Sequence, residues 1–291
     1  MRVHLDCIAC TLRQALEAAR LATADIDVQE RIIRRSLETL ADYDLYRTPA
    51  ELGSAVHELV KEYSGNPDPY RNVKKATIEM AHAIYPGLKR FVEEQDDRLL
   101  VALEVSAVGN LLDAGVYGDL RTVDLEETLK EELSRGFAVC DIDFLRADLL
   151  GATKVLIIGD NAGETVLDRI LISEIKRACG KEDKVNVFYG VRSAPMINDA
   201  TAEDAVASGL DHDATIVDTG CCTPGLVLRN ATPDFLKLYE EADVVISKGQ
   251  GNYETLSDSA GRTIHFVLKA KCRAVAEDTE VNIGEYVLLR R

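Results

Sequence analysis

Three polar segments in this sequence stand where a run of apolar residues stops. Asp160 and Asn161 close KVLIIGDN, Asp199 ends the stretch RSAPMIND, and Lys248 follows DVVIS. Two carboxylates and a carboxamide are hard oxygen donors. Such a set suits Mg²⁺ or Mn²⁺ and leaves coordination positions for water and substrate oxygens. No histidine lies in these segments, which argues against a zinc centre there. Gly163 removes side-chain bulk at the start of the following helix, whose free N–H groups favour anions. Lys248 would supply the positive charge that a transferring phosphoryl group requires. A metal, a lysine and backbone amides together fit transfer of a phosphoryl group to water. Each piece alone has a plainer reading: Asp160 or Asp199 as a helix cap, Lys248 as a solvated loop lysine, Glu164 as a first-turn acid. Their joint occurrence favours the site.

These residues need a scaffold that brings strand exits together. Residues 1 to about 145 carry apolar positions at helical spacing, as in CIACTLRQALEAARLA and VKKATIEMAHAIYPGLKRFVEEQ. From about residue 151 the period changes. KVLIIGD, VNVFYGV, ATIVDTG, DVVISKG and TIHFVLKA are short, nearly continuous apolar runs, most separated by helical or irregular sequence. That pattern predicts parallel strands covered on both faces. The expected fold class is α/β: an N-terminal helical bundle domain (1–145) packed on a C-terminal Rossmann-like, mostly parallel α/β sandwich (146–291). Ligands of such sheets bind outside the carboxyl ends of the strands. Those ends here carry Asp160-Asn161, Arg192 with Asn198-Asp199, Asp218-Thr219-Gly220, and Lys248-Gly249 with Gly251-Asn252.

Composition narrows the function classes. The 291 residues include 50 acidic and 34 basic side chains, a net charge of −16. A surface of that sign repels phosphate backbones and argues against nucleic-acid binding, whereas a local metal can still draw in one small phosphorylated metabolite. No apolar run reaches the roughly 20 residues of a membrane helix, and the N-terminus lacks a secretory pattern. A cytoplasmic protein without membrane association is expected. Seven cysteines in such a chain do not form a disulfide framework. The sequence carries no signal for oligomeric state.

The same residues fit two other enzyme classes poorly. VLIIGDNAG lacks G-x-G-x-x-G, so a dinucleotide or S-adenosylmethionine site rests on a weak pattern. The third position after the first strand is Ala162, so the Asp-x-Asp of an aspartyl-phosphate enzyme is missing. Taken together, GDNAGE (159–164), RSAPMIND (192–199), KGQGNYE (248–254), GNLLDAG (109–115) and LKAKC (268–272) resemble the damage-control phosphatase family, a former domain of unknown function, along essentially the whole chain. The resemblance implies a helical domain on a Rossmann-like domain, and hydrolysis of phosphate monoesters such as sugar phosphates or damaged phosphometabolites. It implies a divalent ion (Mn²⁺, Mg²⁺, Co²⁺ or Ni²⁺) on Asp160, Asn161 and Asp199. It places Glu164, Lys248, Gly251 and Asn252 on the substrate pocket, with Arg192 at the neighbouring strand exit. Asn110 and Asp113 would reach the cleft from the helical domain. Other branches carry an Arg-Thr-x-Lys motif near the C-terminus; here Lys269 or Lys271 stands in that region. The alternatives are a methyltransferase using S-adenosylmethionine in the same crevice, and a non-catalytic metal- or metabolite-binding protein.

A second feature is Cys7-x-x-Cys10 with the later Cys272, the pattern of one branch of that family. With His4 upstream, these thiols could form a soft-metal site or a redox pair. Two ordinary thiols on an apolar helix face are the plainer alternative.

Overall fold

The computed structural model describes residues 1–109, 111, 122–180, 184–258 and 261–291. Five helices lead the chain: α1 (Leu5–Ala22), α2 (Ile26–Ala41), α3 (Pro49–Ser64), α4 (Arg71–Glu93) and α5 (Arg98–Val108). Their ends are written locally. Asp25 accepts hydrogen bonds from Asp27 N and Val28 N at the start of α2. Thr48 and Glu51 form a capping box around Pro49 at the first position of α3, and Gly65 ends that helix in the left-handed conformation.

Seven strands follow, interleaved with helices. They are β1 (Phe137–Cys140), β2 (Lys154–Ile158), β3 (Asn186–Val191), β4 (Thr215–Asp218), β5 (Val244–Lys248), β6 (His265–Lys269) and β7 (Tyr286–Arg290). Between them run α7 (Ile142–Leu149), α8 (Glu164–Ala178), α9 (Ala202–Ala207), α10 (Pro233–Glu241), α11 (Gln250–Leu256) and α12 (Arg273–Asp278), with α6 (Thr122–Leu133) ahead of β1. They form one sheet in the order β1-β7-β6-β5-β2-β3-β4. All neighbours are parallel except β6 and β7. The α/β class, the helical N-terminal region and the mostly parallel sheet are as expected from sequence.

Burial explains why the apolar runs were continuous. Along β2, Val155 and Ile157 enter one core while Leu156 and Ile158 enter the other. Both faces are covered, so Val155 to Ile158 are apolar without a break. The first core also takes Ile78, Ala81 and Ile84 of α4 and Ala102, Leu103 and Val105 of α5. Two smaller clusters hold α1, α2 and α3 together through Ala18, Ile32, Val60, Ala15, Leu40 and Val56.

Two strands escape the sequence pattern. β1 lies within the segment read as helical, and its residues alternate between half-buried and exposed at the sheet edge. β7 is a five-residue strand antiparallel to β6. The expected boundary between residues 145 and 146 falls inside α7. Among the described residues no helix is long and apolar enough to cross a membrane.

Candidate active site

The sheet order places a switch point between β2 and β5. The chain runs from β2 outward to β3 and β4, then returns to β5 and β6 on the other side. Connections leaving β2 and β5 diverge there and open a crevice at the carboxyl ends. Asp160 and Asn161 leave β2 at this point, and Gly249 leaves β5. Backbone bonds fix the loops: Ala200 N donates to Asp160 O (2.8 Å) and Ala162 N to Asn198 O (2.9 Å). Asn161 and Asp199 are thereby paired in an isolated bridge.

A cleft of about 240 Å³ opens at this corner. Asp160, Asn161 and Asp199 line it from the sheet; Cys7, Cys10 and Gln14 line it from α1; Gln250, Gly251, Glu254, Lys271 and Cys272 line it from the segments after β5 and β6. The structure therefore brings the expected oxygen ligands and the three thiols of the second motif into one cavity. Among the described lining residues Lys271 is the one cation. Lys269 is engaged elsewhere, donating to Glu132 Oε2 at 2.8 Å with its ammonium 4.8 Å from the Tyr286 ring centre.

Asp160 and Asp199 are nearly fully buried. Burial pushes the Asp160 carboxyl well above the usual range, and the neighbouring Asp199 and Glu164 charges push the same way. Burial raises Asp199 too, against the opposing pull of Arg192. Asn161 donates its amide to Glu164 Oε1 (2.7 Å) and more weakly to Asp160 Oδ2 (3.3 Å). Buried like charges with few donors and a carboxamide oxygen are the donor set of a hard divalent cation, and the corner fits one.

Gly249 is required here by contact and by backbone. Its φ is +80°, and a methyl at its Cα would lie 1.9 Å from Asp160 Oδ2. Asp199 does not cap the next helix. Thr201 does so, accepting from Asp204 N, which frees Asp199 for the cleft.

The remaining expected residues divide. Gly251 lines the cleft. Arg192, Glu164, Asn252 and Lys248 stand behind its wall and bond to it. Arg192 Nε donates to Asp199 Oδ2 (2.7 Å), and Nη2 donates to Asn252 Oδ1 (3.0 Å). Asn252 Nδ2 in turn donates to Gly159 O (2.9 Å) and Lys248 O (2.7 Å), tying the exits of β2 and β5 together. Lys248 is fully buried and donates to Glu164 Oε2 (2.7 Å) and Asp168 Oδ1 (2.6 Å). Bonded in this way, these four are not among the residues that line the cleft. A lysine saturated by two carboxylates has no charge to spare, and its pKa is raised by those partners against burial. Gly163 is also reassigned: a side chain there would strike Thr77 of α4 at 2.8 Å, so its small size serves helix packing. Asn110 and Asp113 lie outside the described residues.

Sequence reasoning missed Asp168, Tyr189 and Ser106. Ser106 Oγ and Tyr189 OH donate to Asp168 at 2.6 and 2.5 Å, completing the buried cluster. Asp168 follows Glu164 by four residues on α8, and that spacing alone places both acids on one helix face.

The chain matches, over residues 3–287, the family described as damage-control phosphatase ARMT1-like domain. It is similar to a damage-control phosphatase of Archaeoglobus fulgidus, 36% identical over 291 residues that cover 99% of this chain and 98% of that one. A damage-control phosphatase of Pyrococcus horikoshii is 33% identical over 291 residues, covering 100% and 98%. The crystal structure of a DUF89 family protein from Pyrococcus horikoshii superimposes with a TM-score of 0.90 at 32% identity, covering 100% of this chain and 99% of that one.

Proposed function

Because the chain belongs to the damage-control phosphatase ARMT1-like domain family, we propose that it is a divalent-metal-dependent phosphatase acting on small phosphate monoesters, sugar phosphates or damaged phosphometabolites among them. The observation that carries the metal dependence is the pair of buried carboxylates, Asp160 and Asp199, brought together at the sheet switch point by the backbone pairing of Asn161 with Asp199. Mn²⁺, Mg²⁺, Co²⁺ or Ni²⁺ held by their oxygens would polarise the phosphoryl group and lower the pKa of a water.

The chain's own residues have separate tasks. Asp160, Asn161 and Asp199 present oxygens to the cation. Arg192 orients Asp199, while Glu164 orients Asn161 and is itself held by Lys248. Lys271 offers the positive charge that draws an anionic substrate into an otherwise acidic cleft. Asp199 is the remaining candidate for a proton acceptor, since both Glu164 oxygens already accept donors.

The test is phosphate release from p-nitrophenyl phosphate and a sugar-phosphate panel, with each of the four metals and with chelator. Metal-dependent turnover is expected. Folded protein that binds metal but releases phosphate from none of them would favour the non-catalytic reading. Tight S-adenosylmethionine binding without metal would favour a methyltransferase.

A further inference from the structure

The cleft has a second acid-bearing end that the phosphoryl chemistry leaves unused. Gly249 caps α11 with its Cα against the Asp160 carboxylate. From that corner the helix turns Gln250, Gly251 and Glu254 to the cavity. Gln250 and Glu254 are four residues apart and share one helix face. Glu254 follows Gly249 by five residues, which is about 7 Å along the axis at roughly 1.5 Å per residue. It lines the same cavity as Asp160 and Asp199 but is displaced from their corner by more than a helical turn.

Its carboxylate is held in place and half used. Gln250 Nε2 donates to Glu254 Oε1 at 2.8 Å, and Gln250 Oε1 accepts from Lys271 N at 2.9 Å. The first turn of α11 is pinned as well, since a methyl on Gly251 would lie 2.0 Å from Pro224 O. Glu254 Oε2 accepts no hydrogen bond among the described residues. Cys7, Cys10 and Cys272 also line the cavity, and thiols are weak hydrogen-bonding groups. Among the described residues no three His, Cys, Asp or Glu side chains are gathered closely enough to hold one ion, so these thiols stand as separate weak groups beside a strong acceptor.

We propose that Glu254 is a specificity-determining residue. Its Oε2 accepts a hydrogen bond from a hydroxyl or ammonium at the end of the substrate remote from the phosphoryl group, and its charge turns away substrates whose remote end is itself anionic. The substrate lies along α11, with its phosphoryl group at the Asp160 corner. An acceptor without a donor gains from a ligand that brings one, and a carboxylate repels a second anion. A cleft of about 240 Å³ leaves the remote end little room to lie elsewhere. The reaction in this account rests on the phosphatase reading; the discrimination rests on the placement of Glu254.

The experiment compares sorbitol 6-phosphate, 6-phosphogluconate and n-hexyl phosphate with the full chain in Mn²⁺. All three are six-carbon chains with a terminal phosphate. The first ends in a hydroxymethyl group, the second in a carboxylate, and the third carries no donor. For wild type, kcat/KM for sorbitol 6-phosphate is expected to exceed that for hexyl phosphate by about tenfold or more. It is expected to exceed that for 6-phosphogluconate by about 10²-fold, and Glu254→Gln should shrink this second ratio by about tenfold. Wild type that treats all three alike overturns the proposal, even if the variant does not fold. A folded Glu254→Gln variant with an unchanged second ratio also overturns it. If none of the three is hydrolysed, the phosphatase reading fails by itself, and the same ratios are read as dissociation constants by calorimetry in Mn²⁺. Equal constants there, or no binding of sorbitol 6-phosphate, overturn the proposal as well.

Discussion

Two charge clusters meet at the exit of β2, and they contain the same groups in different states. At the cleft, Asp199 is paired with Arg192, while Asp160 has no ion-pair partner among the described residues. Behind it, Glu164 and Asp168 share one base, Lys248. The four acids are buried in both sets, and behind the cleft one lysine, Lys248, is paired with two of them. They differ in donors. Asp168 takes hydrogen bonds from Lys248, Ser106 and Tyr189, and Glu164 from Lys248 and Asn161. Asp199 receives one side-chain donor and Asp160 only a long one. A saturated cluster holds geometry, whereas an under-donated one has lone pairs to offer. The spare lone pairs are what favour the front corner as the proposed binding site.

Removing the rear cation gives the sharpest test. Lys248→Met leaves two buried carboxylates without a counter-ion and is expected to cost about 3–5 kcal/mol of stability by urea denaturation. Adding Glu164→Gln and Asp168→Asn to it should recover much of that loss. If Lys248→Met instead keeps full stability and loses only substrate affinity, the lysine faces substrate and the contrast fails.

Asp160→Asn tests the front cluster from the other side. It should lower metal-dependent kcat/KM by about 10²–10³-fold, the size of losing one preorganised electrostatic partner. Stability without metal should hold or rise, because an ionised carboxylate beside Asp199 is relieved. A variant with wild-type activity would remove Asp160 from the site.

His57 extends the contrast to the helical region. It is buried, packs edge-on to Tyr70, and its Nε2 lacks a hydrogen-bond partner. Burial lowers its pKa to about 4. The folded state keeps it neutral while the unfolded chain protonates it near 6.5. Its contribution is therefore intact above about pH 6.5 and is lost as pH falls toward 4, by roughly 3 kcal/mol. Comparing wild type with His57→Leu in denaturant titrations from pH 7 to 4 isolates that slope. Equal slopes would mean that His57 has a donor or acceptor in solution.

The smallest effect belongs to Lys271. Its replacement by alanine should raise KM for an anionic substrate about tenfold, or roughly 1.4 kcal/mol, with stability little changed. An unchanged KM across substrates of different charge would move the anion-binding task to another group.

Much of this was legible in the sequence, for identifiable reasons. The runs ending at Asp160 and Lys248 announced central parallel strands because both sheet faces demand apolar residues. β1 was not legible because four edge residues, alternately exposed, carry no such demand. GDNAGE and RSAPMIND pointed to residues that the structure brings together, because short loops at strand exits keep their polar residues adjacent to the sheet. The thiols were legible as a motif but not as part of the same cavity, since α1 reaches the cleft only through packing.

The sequence by itself thus determined the central strand exits, the polar residues that stand at them and the family pattern, all of which depend on neighbours a few residues away. Tertiary structure alone decided which charges are spent. Lys248 and Lys271 are equivalent lysines on paper. The first meets Glu164 and Asp168, 84 and 80 residues earlier in the chain, inside the core. The second ends in the cleft. A charge is available for function only when its surroundings leave it unpaired, and those surroundings are assembled from the whole chain.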